Sequence, residues 1–529
     1  MMRPPKMKNP PLTKITARSL SSILWGMVLV TLPVTSFRFM PFFGSGTYVR
    51  PLALYPLLLL LPMLLIRLYR REIPHPWPGS LTVLLAFLLS AMAATALGST
   101  FSPIELHGVD FFDRALRAIM TLVIGTSFFV VAVWMNQDES DLKFSIKWLL
   151  FGLLAHLAWG TVQFIGLNSG HRQQLLQIQN LFSVRGLVKN KRISGFAYEP
   201  SWLAGQIATL YLPWLTAAFL TRYRALAKNS KNIAEKQHSN LPETVYKLFS
   251  PVNMQSWIEP ILLIGALTGL LMTYSRSGLL IAFLAGLLTF ALTGKTAFLI
   301  FWSWVRAGFI LQKWTSFSVG IRLAGTRLLL ALVVLGILIG VSAFLVDKGY
   351  IAAFFKSEKT NLFAYAQDVY LGPRLAYASA ALTAFEQHPL TGVGLGASGF
   401  GIYSNMPDWV LSGEPEIARQ MSPSSSLYPN PKNLYVRLLT ETGLLGLILF
   451  FAFYLSLFAD ALNLLKYSTQ ENNLAIWLAS AGIFSLVAIF LQGISQDSFA
   501  MPEIWINLGI LAGSVSTVAN QYKKQKDLQ

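Results

Sequence analysis

A chain of 529 residues with 54% hydrophobic side chains, only 12% charged ones and a mean hydropathy of +0.52 excludes a water-soluble globular protein and defines an integral membrane protein. Its formal net charge of +18 collects mostly in a few loops, and without any recognised nucleic-acid module it does not mark nucleic-acid binding. The absence of cysteine excludes disulfides, thiolate metal sites and thiol nucleophiles.

A membrane span needs about 20 apolar residues. Twelve stretches qualify, near 19–37, 51–69, 79–99, 116–135, 146–166, 200–221, 257–274, 277–294, 326–346, 433–457, 474–492 and 503–519. The first follows the basic residues Arg3, Lys6, Lys8, Lys14 and Arg18, but its apolar run is long and no small-residue cleavage site ends it, so it is expected to stay as an anchor. The spans hold almost no ionisable residues. Pores and pumps carry such groups inside their spans, so the pattern points instead to chemistry at the membrane surface, on a lipid-carried anion.

Lys/Arg bias sets the orientation. With a cytoplasmic amino terminus, the loops bearing Arg67, Arg70 and Arg71, then Arg222 to Lys247, then Lys295 to Arg327 all fall inside, as does the tail with Lys523. The expected architecture is an all-α polytopic bundle of about 12 transmembrane helices. It divides into a cytoplasmic basic terminus (1–18), spans one to nine (19–346), a large outer loop (347–432), spans ten to twelve (433–519) and a cytoplasmic tail (520–529). Within the large loop, Leu371, Leu375, Ala378, Leu382 and Phe385 recur at helical spacing and predict an amphipathic helix over 365–385. A second basic cluster, Arg185, Lys189, Lys191 and Arg192, falls on the outer side against the bias. Phosphate binding would explain it; so would a solvated loop or contact with anionic head groups.

Four sites line up on the outer face. Tyr198-Glu199-Pro200-Ser201 opens span six, where Glu199 is either a general base or a charge complementing the helix dipole; position alone favours the cap. Ser275-Arg276-Ser277-Gly278 is a hairpin that holds Arg276 close to the membrane, as a snorkelling anchor or a ligand. Gly372-Pro373-Arg374 precedes the glycine-rich turn His388-Pro389-Leu390-Thr391-Gly392-Val393-Gly394, whose amides could approach an anion although no strand makes it a nucleotide fingerprint. Asn433 opens span ten as a ligand or a helix cap, with Glu441-Thr442-Gly443 further on. Spans six, eight and ten all run inward, so their amino-terminal amides face the same surface as Arg276, Arg374 and the outer cluster, a combination suited to an anion.

This series of motifs, from Ser194 to the last spans, resembles the O-antigen ligase and O-antigen polymerase superfamily. The resemblance implies a metal-independent and cofactor-free glycosyltransferase of the bacterial cytoplasmic membrane, with its site and large loop on the periplasmic side. It would take a glycan from undecaprenyl diphosphate to a hydroxyl of a lipid-linked repeat unit or lipid A-core. Membrane lipids and a chain-length regulator protein are the other candidate partners. By the same resemblance, Arg276 and Arg374 match the arginines that contact the diphosphate, which fits the charge a leaving diphosphate gains in the transition state.

The chain departs from the ligases where they carry a His-Asn pair, because Lys432 precedes Asn433 here. A protonated lysine cannot accept a proton, so Lys432 reads as a further diphosphate ligand, beside Arg192. The departure favours a polymerase or exopolysaccharide relative with Glu199 as leading base and Glu441 as runner-up. His388 reads as structural and His156 as a satisfied interior residue. Tyr198, Trp202 and Trp409 could stack on sugars, but aromatics at a membrane boundary also form belts. The competing class is a lipid-linked glycan flippase, which would show broken helices and midplane charges.

Overall fold

The computed structural model describes residues 12–39, 47–106, 108–185, 191–222, 258–295, 299, 372–407, 410, 415–422, 428–466, 473–497 and 499–527. The stretch expected as span nine lies outside them, as do 347–371, Lys189 and Trp409. The described residues are mostly helical, with one antiparallel pair, β1 (Glu105–Leu106) and β2 (Val109–Asp110). The helices are α1 (Leu12–Thr31), α2 (Leu54–Tyr69), α3 (Gly79–Gly98), α4 (Phe111–Trp134), α5 (Glu139–Asn168), α6 (Arg172–Phe182) and α7 (Pro200–Arg222). They continue with α8 (Ile258–Met272), α9 (Arg276–Thr293), α10 (Gly372–Gln387), α11 (Ser398–Ser404), α12 (Pro415–Met421), α13 (Leu434–Lys466), α14 (Asn473–Ser495) and α15 (Pro502–Asp527).

Among the described residues, helices thus stand at each of the other expected spans. Among the described residues seven of them, α3, α4, α5, α7, α9, α13 and α14, are long and apolar enough to cross a membrane. The apolar helices α2 and α8, and the part of α1 from Ser19 to Thr31, are shorter. Their starts follow local chemistry. Asp110 accepts the Asp113 amide (2.8 Å) at α4, Asp138 the Asp141 amide (2.8 Å) at α5 and Ser275 the Gly278 amide (3.3 Å) at α9, while Pro200 supplies the first turn of α7.

The bundle is layered around α14, which is apolar and buried along most of its length and packs on α9, α13 and α15. Outward faces carry apolar stripes at helical spacing, such as Leu280, Phe283 and Leu287 on α9 and Phe151, Leu154 and Ile165 on α5, which is the surface a hydrocarbon solvent requires. Helix α7 contains a buried π-helical turn, Ile207–Tyr211. Helix α10 covers the later part of the predicted amphipathic segment. Its Ala376, Tyr377, Ala380, Ala381 and Ala384 pack inward, and Leu375 and Leu382 of the predicted apolar stripe are exposed.

Helix α13 breaks at Gly443 (φ 64°, ψ −169°). The break exists because the turn at 388–394 lies across it: Val393 and Gly394 donate to the carbonyls of Thr440 (2.8 Å) and Glu441 (2.9 Å), and Leu444 donates to that of Pro389 (2.9 Å). A Cβ at Gly443 would run into the carbonyl of Leu390. Gly443→Ala is therefore expected to destabilise the fold by about 1–3 kcal/mol, through left-handed backbone strain and that collision. Thermal unfolding in detergent checks this; an unchanged midpoint would contradict it.

Candidate functional site

Close helix contacts bring the ends of four helices to one level. A Cβ at Gly278 of α9 would lie 2.6 Å from Ala204 Cβ of α7, and one at Gly205 of α7 would lie 2.5 Å from Gln492 Nε2 of α14. Gly493 of α14 likewise faces the hydroxyl of Tyr435 on α13 (2.8 Å), which donates to the carbonyl of Phe490 (2.7 Å). The amino-terminal ends of α7, α9 and α13 therefore meet the carboxyl-terminal end of α14.

The residues singled out in the sequence are tied to this junction. Asn433 Nδ2 donates to the carbonyl of Ile494 (3.0 Å) and Arg374 Nη1 to that of Ser495 (2.6 Å), so both sit on the last turn of α14, where the helix dipole favours a cation. Asn433 also caps α13, accepting the amides of Tyr435 (2.9 Å) and Val436 (3.1 Å). Arg192 Nε donates to the carbonyl of Thr273 (2.7 Å), three residues before Arg276, and Ile193 donates to that of Met272 (3.3 Å). The segment before α7 is thereby laced to the hairpin before α9. Lys432 is half-buried in the left-handed region (φ 56°), and its amide donates to Asn430 Oδ1 (3.1 Å). The side chains of Arg276 and Arg374 are exposed at the same end of the bundle.

The segment 194–199 is positioned from below. Gln163 Oε1 accepts the amides of Ser194 (3.0 Å) and Gly195 (2.8 Å), and Gln163 Nε2 donates to the Gly195 carbonyl (3.1 Å). Phe196 donates to His156 Nδ1 (3.4 Å), whereas the buried His156 Nε2 has no hydrogen-bond partner among the described residues. His156 is thus an interior positioning residue, as expected, though only one of its nitrogens is satisfied.

Glu199 stands immediately before α7 but does not cap it: no amide of the helix reaches its carboxylate. Its Oε2 instead accepts from Arg185 Nη1 (2.7 Å) and its Oε1 from the Ser201 hydroxyl. One member of the outer basic cluster is therefore paired with a carboxylate. The Arg185 guanidinium also lies 4.6 Å above the Tyr198 ring. Burial pushes the Tyr198 hydroxyl above its ordinary pKa, Tyr48 and Glu199 push the same way and Arg185 opposes them, so Tyr198 is a hydrogen-bond donor at neutral pH.

Two expectations need correction. The amides of the glycine-rich turn are not offered to an anion: beyond the two bonds to α13, Gly392 donates to the His388 carbonyl (2.9 Å) and Leu395 to Thr95 Oγ1 (3.1 Å). His388 is structural as read, stacked on Phe101 with centroids 3.7 Å apart. Glu441 is no base candidate. It is 1% exposed, accepts from the Ser398 hydroxyl (2.7 Å) and pairs with Arg437 Nε (3.0 Å). Arg437 also pairs with Asp497, two residues beyond the carbonyl that holds Arg374. This triad escaped the sequence reading, although the four-residue spacing of Arg437 and Glu441 on one helix face was a usable signal.

Residues 261–451 match the family described as O-antigen ligase. The matched segment holds Arg276, Arg374, Lys432, Asn433 and Glu441, and leaves Arg192, Tyr198 and Glu199 upstream of it. The match supports an O-antigen ligase or polymerase type of function in polysaccharide biosynthesis, and together with the long apolar helices a multi-pass membrane protein. No curated protein matches the chain.

Arg437→Met leaves the buried Glu441 and the half-buried Asp497 without their shared partner and is expected to cost about 3 kcal/mol of stability. Unfolding midpoints in detergent check this, and a variant as stable as the parent would contradict the pairing.

Proposed function

We propose that the chain is a glycosyltransferase of the bacterial cytoplasmic membrane. It transfers a glycan from undecaprenyl diphosphate to an acceptor hydroxyl at the periplasmic face, as an O-antigen or exopolysaccharide polymerase rather than a ligase. In this reading residues 1–18 and 520–529 are cytoplasmic and 347–432 form the periplasmic loop. The observation that carries it is the junction at the end of α14. Two exposed arginines there, Arg276 and Arg374, stand beside the amino termini of three helices, with Arg192, Lys432 and Asn433 tied to the same end.

Each group has a chemical task. Arg276 and Arg374 hold the diphosphate by charge-assisted hydrogen bonds and neutralise the charge it gains on leaving, aided by Arg192 and the protonated Lys432. Glu199 takes the proton of the acceptor hydroxyl, whose oxygen attacks the anomeric carbon with inversion. The bond from that carbon to the phosphate oxygen breaks, and its electron pair leaves with undecaprenyl diphosphate. Ser201 already donates a hydroxyl proton to Glu199 Oε1, which is the place an acceptor hydroxyl would take, while Arg185 fixes the other oxygen. The substitution of lysine for a histidine base at position 432 supports polymerase over ligase.

Arg276→Ala and Arg374→Ala are each expected to lower long-chain polysaccharide about a hundredfold or more, the loss usual for one preorganised charge-stabilising donor. Gels of surface polysaccharide from a complemented deletion strain check this, and normal long chains in both variants would overturn the assigned roles. Glu199→Gln should be inactive with protein levels unchanged; full activity removes it as base. In the deletion strain itself, loss of long chains with one capped unit remaining is the polymerase outcome, and accumulation of lipid-linked polymer the ligase outcome. A flippase forms no new glycosidic bond from a purified lipid-linked repeat.

A further inference from the structure

Beside the arginine junction, three aromatic rings from two distant segments are assembled into a row. Tyr48, from the connection between α1 and α2, stacks on Tyr198 with centroids 5.1 Å apart and planes at 30°; Tyr198 in turn lies 5.0 Å from Trp202 at 40°. Tyr48 is 60% exposed. The row is held from both sides. The Tyr198 amide donates to Thr35 Oγ1 (2.9 Å) near Tyr48's own segment, and that segment pairs with 182–184 through Arg38 to the Phe182 carbonyl (3.0 Å) and Val184 to the Ser36 carbonyl (3.1 Å). The Arg185–Glu199 pair runs along its edge, with side chains 35% and 32% exposed.

A surface of this kind has two chemistries side by side: an apolar π face, and an accessible carboxylate and guanidinium that accept and donate hydrogen bonds. A pyranose ring has the same two, a face of C–H groups and a rim of hydroxyls. Aromatics that only anchor a helix at the lipid boundary sit at head-group level with an apolar body toward the acyl chains. Here the rings come from positions 48 and 198–202, with Tyr48 stacked on Tyr198 and Trp202 tilted against it, and border a solvent-accessible ion pair, which an acyl chain would not tolerate. Since Glu199 belongs to both the row and the proposed proton transfer, the sugar seated here would bear the attacking hydroxyl.

We propose that the exposed face of Tyr48, backed by Tyr198 and Trp202, forms the platform on which the acceptor's sugar ring stacks, with Arg185 and Glu199 engaging its hydroxyls. This subsite is separate from the arginines that grip the diphosphate. It deepens the glycosyltransferase reading and rests on it for the word acceptor, but sugar binding is testable without turnover.

The test is a calorimetric titration of the full-length protein in nanodiscs with delipidated oligosaccharide, released by mild acid from the source cell's own surface polysaccharide. Wild-type protein should bind it, and Tyr48→Phe, which keeps the ring, should bind within about twofold. Tyr48→Ala and Tyr48→Leu should each bind about tenfold more weakly with unchanged unfolding midpoints. Arg276→Ala should bind like wild type. The platform is overturned if the oligosaccharide does not bind wild-type protein, or if Tyr48→Leu, which preserves a lipid-facing apolar side chain, binds as wild type does. Should Arg276→Ala and Arg374→Ala retain transfer in cells, the diphosphate roles fail while the titration still decides the platform.

Discussion

The last turn of α14 is the constraint on which the rest of the site depends. The helix ends at Ser495, and Asn433 and Arg374, from two other parts of the chain, donate to its carbonyls at Ile494 and Ser495. Small residues let the neighbouring helices come close enough to join in. Gly205 and Gly278 bring α7 and α9 to Gln492 and Ala204, and Gly493 brings in Tyr435. A helix end that needs hydrogen-bond donors in a water-poor setting thus becomes the point where cations from otherwise unconnected loops gather. The Arg437–Asp497–Glu441 triad stiffens the same corner, since Asp497 lies just past Ser495 and Glu441 sits at the break in α13.

In the proposed function this arrangement separates two tasks that a lipid-linked glycan would impose. The diphosphate is anionic and lies at the level of the head groups, which suits guanidinium groups at helix amino termini beside a low-dielectric bundle. The sugar is neutral and amphiphilic and suits aromatic faces bordered by a carboxylate. The 191–202 segment links the two, because Arg192 is bound to the hairpin before Arg276 while Tyr198 and Glu199 stack and pair on its other flank.

Much of this was legible in the sequence, where the physics is local. Apolar length marked the helices, and Pro200 and Asn433 marked two of their starts. The alternation of spans six, eight and ten put the amino-terminal ends of α7, α9 and α13 on one surface before any contact was known. What remained hidden depends on partners far away in the chain. Glu199 looks like a cap from its place before Pro200, but Arg185, fourteen residues upstream, takes its carboxylate. The glycine-rich turn looks like an anion nest until Thr440 and Glu441 consume its amides. Glu441 itself reads as a runner-up base, and only Arg437 with the distant Asp497 and Ser398 reveals it as a buried structural charge. Tyr48 carried no signal at all, because stacking on Tyr198 is set by how the first loop folds back over 182–184.

The central claim is that Arg276 and Arg374 act on one anion. A double-mutant cycle on the binding of undecaprenyl diphosphate to the purified protein measures this directly, using Arg276→Ala, Arg374→Ala and the double variant. If both guanidinium groups grip the same diphosphate, the losses are non-additive, with a coupling energy of about 0.5–3 kcal/mol. Strictly additive losses, or a variant that binds undecaprenyl diphosphate as tightly as the parent, would contradict the account.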